Sequence, residues 1–227
     1  MFALLLASSV LVPVPPTQVY YEQTVHMTRD GQTTQTASAK VYWAGRRMRM
    51  ETADATFVLQ LDTGRAFRLL PAEKLAVELD VERLQARSQL DLSTASDAMD
   101  AGTDANVRQS DLAEVKTIAG YRCRGHRLRS GAAVMDVYFS SKVPLSVDDF
   151  TEFLRWTGAS QSLPGFLDLL RELPGFPLET RAQLKADGHL YETVSTITSL
   201  HVGPQPEALF APPPGYRIEP EGEDEEN

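Results

Sequence analysis

Nucleophilic and imidazole chemistry in this chain rests on one cysteine and four histidines. Cys123 and His126 form the suggestive pair, because a thiol beside an imidazole is the arrangement that yields a nucleophilic thiolate. Three residues apart on a strand they point to opposite faces, so only a bulge or turn at Gly125 could bring them together. Cys123 is therefore read as a small packed thiol. His26, His189 and His201 lack the spacing of a zinc motif such as H-E-x-x-H, and a lone cysteine supports neither an internal disulfide nor a cysteine zinc site. Gly120, Gly125 and Gly131 are dispersed through a strand-rich region with no helix following in register, unlike a phosphate-binding loop. Asp97, Asp100 and Asp104 lack the tight alternation of a calcium loop. Asp148 and Asp149 sit where a helix begins, and there they complement its dipole. The expectation is a protein with no catalytic residues, no metal and no cofactor.

The elements that must position these residues belong to a folded body. The chain has 227 residues, 42% of them hydrophobic, enough to bury a real core. Its formal net charge is -9, which gives no bulk attraction to phosphate backbones and argues against nucleic-acid binding. Residues 219–227 (EPEGEDEEN) hold six of the acids and no base. Residues 218–227 are accordingly read as a solvated, disordered tail, and the Ser-, Thr-, Ala- and Asp-rich stretch 88–106 as a flexible segment. At the other end, residues 2–12 (FALLLASSVLV) form an uncharged apolar run that a Pro-rich stretch follows. It is too short to span a bilayer but suits a secretory h-region, so 1–16 is expected to be a signal peptide and the mature chain to have no transmembrane segment.

From Gln18 onward the dominant period is two, with Asp30-Gly31 as the first turn signal. Further strands are read at 37–43, 46–51, 57–61, 65–70 and 74–79, with turns too close together for parallel crossovers. A short helical stretch at 81–87 follows. Strands then resume at 114–129 and 132–140, and again at 177–186 and 189–202. Between them the period changes. Ser146 and Asp149 resemble a capping box, and Phe150, Phe153 and Leu154 share one helical face. A second helix carries Phe166, Leu169, Leu170 and Leu173 and is stopped by Pro174-Gly175. The predicted fold is mainly β (α+β): a curved antiparallel sheet of about ten strands forming an open half barrel, with two short helices packed in its concavity. Residues 17–217 make a single domain.

This order of elements resembles the lipoprotein-carrier superfamily, the LolA/LolB-like fold of bacterial envelope proteins, in an uncharacterised secreted or periplasmic branch. Three short segments carry the resemblance: Ile118-Ala119-Gly120-Tyr121-Arg122-Cys123, Leu173-Pro174-Gly175-Phe176-Pro177-Leu178, and Phe210-Ala211-Pro212-Pro213-Pro214-Gly215-Tyr216. The resemblance implies an exported protein whose hydrophobic concavity takes a lipid, an acyl chain or another apolar ligand. The carrier's cavity-side Arg, followed by Pro, has no counterpart here. Arg46-Arg47-Met48-Arg49 lacks the Pro, and alternation puts Arg47 and Arg49 on a solvated face.

The candidate ligand-binding residues are Val41, Trp43, Met48, Met50, Phe57, Leu59, Leu61, Val137 and Phe139 on the strands, with Phe150, Phe153, Leu154 and Phe166 as the helical cover. Methionine suits such a surface because an unbranched thioether adapts to different apolar shapes. Two functions remain open on this reading: a periplasmic or secreted carrier or sensor of hydrophobic ligands, and an envelope interaction module whose concavity is a filled core and whose ligand is a protein partner.

Overall fold

The computed structural model describes residues 17–81, 108–130, 133–156, 170–186 and 188–222. Among these residues twelve strands form one open sheet, not closed into a barrel, in the order β12-β6-β5-β4-β3-β2-β1-β11-β10-β9-β8-β7. The first meander comprises β1 (Gln18–Arg29), β2 (Gln32–Ala44), β3 (Arg47–Glu51), β4 (Thr56–Gln60), β5 (Arg65–Leu70) and β6 (Leu75–Leu79). The second comprises β7 (Arg108–Ile118), β8 (Tyr121–Ser130), β9 (Ala133–Ser140), β10 (Phe176–Ala186) and β11 (His189–Val202), with α1 (Val147–Trp156) between β9 and β10. The meanders meet where β1 pairs antiparallel with β11, from Val19 opposite Val202 to Arg29 opposite Tyr191.

Twelve strands replace the expected ten for two reasons. The run 114–129 is not one strand: it folds back at Ala119 and Gly120, whose φ angles of 48° and 83° make a hairpin turn with both residues in the left-handed region. Asn, Asp or Gly normally marks such a position, so alanine gave no signal. The other addition is β12 (Arg217–Pro220), which pairs parallel with β6 and carries the sheet into the segment read as a solvated tail. Glu221 N continues the ladder by donating to Glu78 O at 2.9 Å.

The helix starts as its sequence suggests. Ser146 Oγ accepts from Asp149 N at 3.2 Å, the side-chain cap for an orphan amide. Gly175 ends the return to the sheet at φ 133°, where a Cβ would stand 2.3 Å from Ser140 O, so the backbones of β9 and β10 approach as only glycine permits. The stretches 1–16 and 88–106, Phe166, and most of the 81–87 helix lie outside the described residues.

The expectation that Arg47 and Arg49 face solvent needs correction. The segment after β11 returns across their face: Arg47 grips Glu207 with both terminal nitrogens (2.6 and 3.1 Å) and lies over the Phe210 ring, 5.4 Å from its centroid. Arg49 reaches Leu209 O, and Gln60 Nε2 donates to Phe210 O at 2.8 Å. Phe210 is thereby buried, and Tyr216 packs on a neighbouring cluster of Val58, Phe67, Leu69 and Ala76. A covering 160 residues distant leaves no trace in the local alternation.

Candidate ligand-binding site

Strand register builds the site in rows. Val19, Trp43, Met48, Leu59 and Ala66 stand opposite one another across β1 to β5, and Tyr21, Val41, Met50 and Phe57 form the next row. Side chains two apart on a strand share a face, so both rows line one apolar surface. α1 lies on it. The Phe153 ring meets the Trp43 ring edge-on at 6.1 Å, and Phe150 meets Phe176 in the same manner at 5.0 Å.

The expected residues separate into two packed groups. Val41, Trp43, Met48, Met50, Phe57, Leu59, Phe150 and Phe153 belong to the larger cluster. Val137 and Phe139 belong to a second, with Leu128, Met135, Leu170 and Leu173, against which Phe150 and Leu154 pack. Phe150 thus touches both. Leu61 is buried but sits in the turn after β4, where its amide donates to Arg46 O at 2.9 Å. The sequence reading missed Val19, Tyr21, Phe176, Leu178 and Trp156, which also belong to the larger cluster. Val19 and Tyr21 were legible as alternating residues, though not as sharing a face with Trp43.

Two polar groups lie in this surface. Tyr21 is almost wholly buried, and that burial pushes its phenol up to about 12, against a smaller opposite influence of Trp43. The Trp43 indole Nε1 is buried beside it and falls short of ordinary hydrogen-bond geometry, with the Tyr21 phenol as the polar group it influences.

The rim of the cover is ionic. Arg46 reaches Asp149 at 3.4 Å and Glu152 at 2.8 Å, with its own side chain 48% exposed. Burial raises the Asp149 carboxyl above its ordinary range, and Arg46 opposes that shift. Arg171, two residues before Leu173, reaches α1 by donating from Nε to Thr151 Oγ1 at 3.2 Å. Partly exposed pairs of this kind contribute about 0–1 kcal/mol each, so the cover is held mainly by its aromatic face.

Cys123 and His126 stay apart. Cys123 stands opposite Lys116, whereas His126 stands opposite Asp111 and Val137, on the other face of β8. Cys123 Sγ donates to Tyr121 O at 3.3 Å, and burial pushes the thiol's pKa up, away from thiolate chemistry. His126 stacks on Phe139 at 4.7 Å, His26 contacts Thr36 Oγ1, His189 contacts Asp30, and His201 stacks on Tyr20. Among the described residues no cluster of three or more His, Cys, Asp or Glu side chains could hold a metal, and no helix is long and apolar enough to cross a membrane.

Comparison with known proteins places this geometry in context. The family described as "Domain of unknown function (DUF4412)" matches residues 22–216. No curated protein matches. Similar solved structures include PNGF-II, 13% identical over 90% of this chain with a TM-score of 0.40. The match covers 31% of PNGF-II, so this chain spans about a third of that protein's length. MucB is 11% identical, with 84% of this chain and 55% of MucB covered at a TM-score of 0.37. A LolA superfamily protein from Nitrosomonas europaea is 9% identical, with 88% of this chain and 91% of that protein covered at a TM-score of 0.33.

Proposed function

The chain belongs to the DUF4412 family, whose description assigns no activity, and from the geometry of the sheet and its cover we propose a non-enzymatic binding protein. Its sheet, curved as a half barrel, takes an acyl chain or other hydrophobic ligand beneath α1, and the protein works in the periplasm or outside the cell as a carrier or envelope sensor. One observation carries this reading. Two apolar clusters, one with Trp43 and Met48 and the other with Val137 and Phe139, are bridged by Phe150 of the ten-residue α1, whose Phe153 packs on the first, so that these rings hold a place an acyl chain could take. Displacing that helix exchanges one apolar contact for another, and the ion pairs at its rim cost little to break.

A second reading has its own support. Trp43, Met48 and Val137 are at most 1% exposed, as in a permanently filled core. The protein is then an envelope interaction module that contacts a protein partner through its surface.

Phe153→Asp decides between them. If α1 is a movable cover, the variant keeps its far-ultraviolet circular dichroism and loses binding of a fluorescent fatty acid that the delipidated native protein takes up. If the concavity is a filled core, a carboxylate buried there without a partner costs several kcal/mol and the sheet unfolds cooperatively. A native protein that takes up no fatty acid also defeats the carrier reading. The export half of the proposal is checked separately, by intact mass of the native protein, which should lack about the first 16 residues.

A further inference from the structure

β2 has a strand on both sides only from Lys40 to Ala44, where β3 joins it. Over residues 32–39 it pairs with β1, and among the described residues no strand pairs with its other edge. The β3–β4 turn, closed by Thr52 N donating to Ala55 O at 2.9 Å, stops level with Lys40 and leaves a notch beside β2. A bulge at Thr34 interrupts the strand on one side. Residues 35–39 therefore present a regular open edge, with backbone groups pointing outward at alternate residues. The notch opens into a cleft of ≈ 680 Å³, within the range of about 300–1,000 Å³ usual for ligand sites, lined by residues 35–40 of β2, residues 51–54, residues 22–24 of β1 and Thr198 of β11.

The edges at the two ends of the sheet are guarded. β7 carries Arg108, Asp111, Glu114 and Lys116 and has a bulge between Leu112 and Val115. β12 carries Arg217 and Glu219 and ends in Pro220. Charges, bulges and proline are the devices that keep a free edge from pairing. Gln-Thr-Ala-Ser-Ala at 35–39 has no charge and no proline. Around it acids outnumber bases: Glu22 and Glu51 flank Lys40 on neighbouring strands and Asp54 lies in the turn, with Glu51 also paired to Arg49 at 2.7 Å and Glu22 accepting from the Tyr20 hydroxyl.

We propose that residues 35–39 of β2 accept an extended, basic segment of a protein partner as an added strand. Main-chain bonds to the open edge supply affinity, and the carboxylates of Glu22, Glu51 and Asp54 select lysine or arginine on the incoming segment. This site lies on the β1–β2 hairpin and is independent of the apolar surface under α1.

Three fluorescein-labelled octapeptides test it by anisotropy on the full chain: alternating Lys and Val, alternating Glu and Val, and alternating Lys and Val with every backbone amide N-methylated. The last has the charge of the first but no backbone donor on either edge with which to form a ladder. The Lys-Val peptide should bind saturably and at least about tenfold more tightly than either of the others. Ala37→Pro should abolish that binding. Asp54→Lys should weaken it with circular dichroism unchanged, and this variant decides the matter if Ala37→Pro fails to fold. Equal binding of the two lysine peptides, binding of Glu-Val as tight as Lys-Val, or no binding of Lys-Val overturns the proposal. So does a dimer of the free chain that Ala37→Pro dissolves, since the edge then belongs to a second copy.

Discussion

Tyr138 lays its ring against Gly125 on the neighbouring strand so closely that a β-carbon at position 125 would stand 2.7 Å from Tyr138 Cε1. The Tyr138 hydroxyl donates to Glu114 at 2.8 Å, and Lys116 Nζ lies 3.9 Å from the ring centroid. Lys116 also reaches past two strands to Glu179 on β10, at 2.6 Å. The absent side chain at 125 thus makes room for the group around which the bulged edge of the sheet is organised.

Gly125→Ala should therefore destabilise the protein by about 1–3 kcal/mol, the usual cost of overpacking, because a ring edge and the Leu112 side chain must both move. The cost should shrink when Tyr138→Ala is already present. Urea unfolding of the two single variants and the double variant measures the coupling. An unchanged cost in the Tyr138→Ala background would mean that the strain lies elsewhere.

Cys123 should be inert in the folded state. A thiol-specific chromogenic reagent near neutral pH should label it only as fast as the protein unfolds, since the side chain is fully buried and its pKa is raised. Cys123→Ala should cost about 1–3 kcal/mol and leave fatty-acid uptake as it was. Rapid stoichiometric labelling of the native protein, accompanied by loss of a hydrolytic activity, would restore the catalytic thiol.

Two substitutions in the segment after β11 should differ sharply. Phe210→Ala removes a fully buried ring and should cost about 3–5 kcal/mol. Glu207→Ala breaks both bonds to Arg47, yet Glu207 is mostly exposed and solvent screens the pair, so the unfolding midpoint should hardly move. Equal losses would show that the ion pair and not the ring anchors the segment.

Asp30 gives a pH signature. Its carboxyl is held below the usual range, chiefly by the Leu190 amide at 2.9 Å and next by the His189 ring at 2.6 Å. A folded pKa below the unfolded value of about 3.9 contributes stability that is complete above that value and is lost as pH falls through the folded one. Asp30→Asn should thus be less stable than the native chain at about pH 6, and the gap should close as pH falls through the lowered folded value. A gap of constant size down to about pH 2 would assign the effect to packing instead of charge.

What the sequence disclosed follows from how local each signal is. β5 reads as a strand from 65 to 70 and forms there, because a turn at Gly64 and the proline at 71 bound it on both sides. The start of α1 was legible in Ser146 for the same reason. β12 was not: its four residues are exposed, and its partner β6 is about 140 residues earlier, so no apolar period marks it. In the candidate site, alternation correctly separated Met48 and Met50 from Arg47 and Arg49. It could not say that Tyr21 joins the methionines, since period two relates residues within a strand and only register relates strands. Nor could it foresee that residues 207–210 would cover the arginine face.

The seam between β1 and β11 has a kinetic consequence. Each meander closes through neighbours in sequence, but β1 and β11 join residues more than 160 positions apart, as Val25 opposite Ser195 illustrates. Loop-closure entropy must be overcome there before the pairing returns any free energy, which makes the seam the natural late step of folding. A chain cut once between β6 and β7 would still hold complete hairpins in both pieces. The two fragments should then complement each other when mixed, at a rate that depends on their concentration, with β12 of the second fragment clasping β6 of the first.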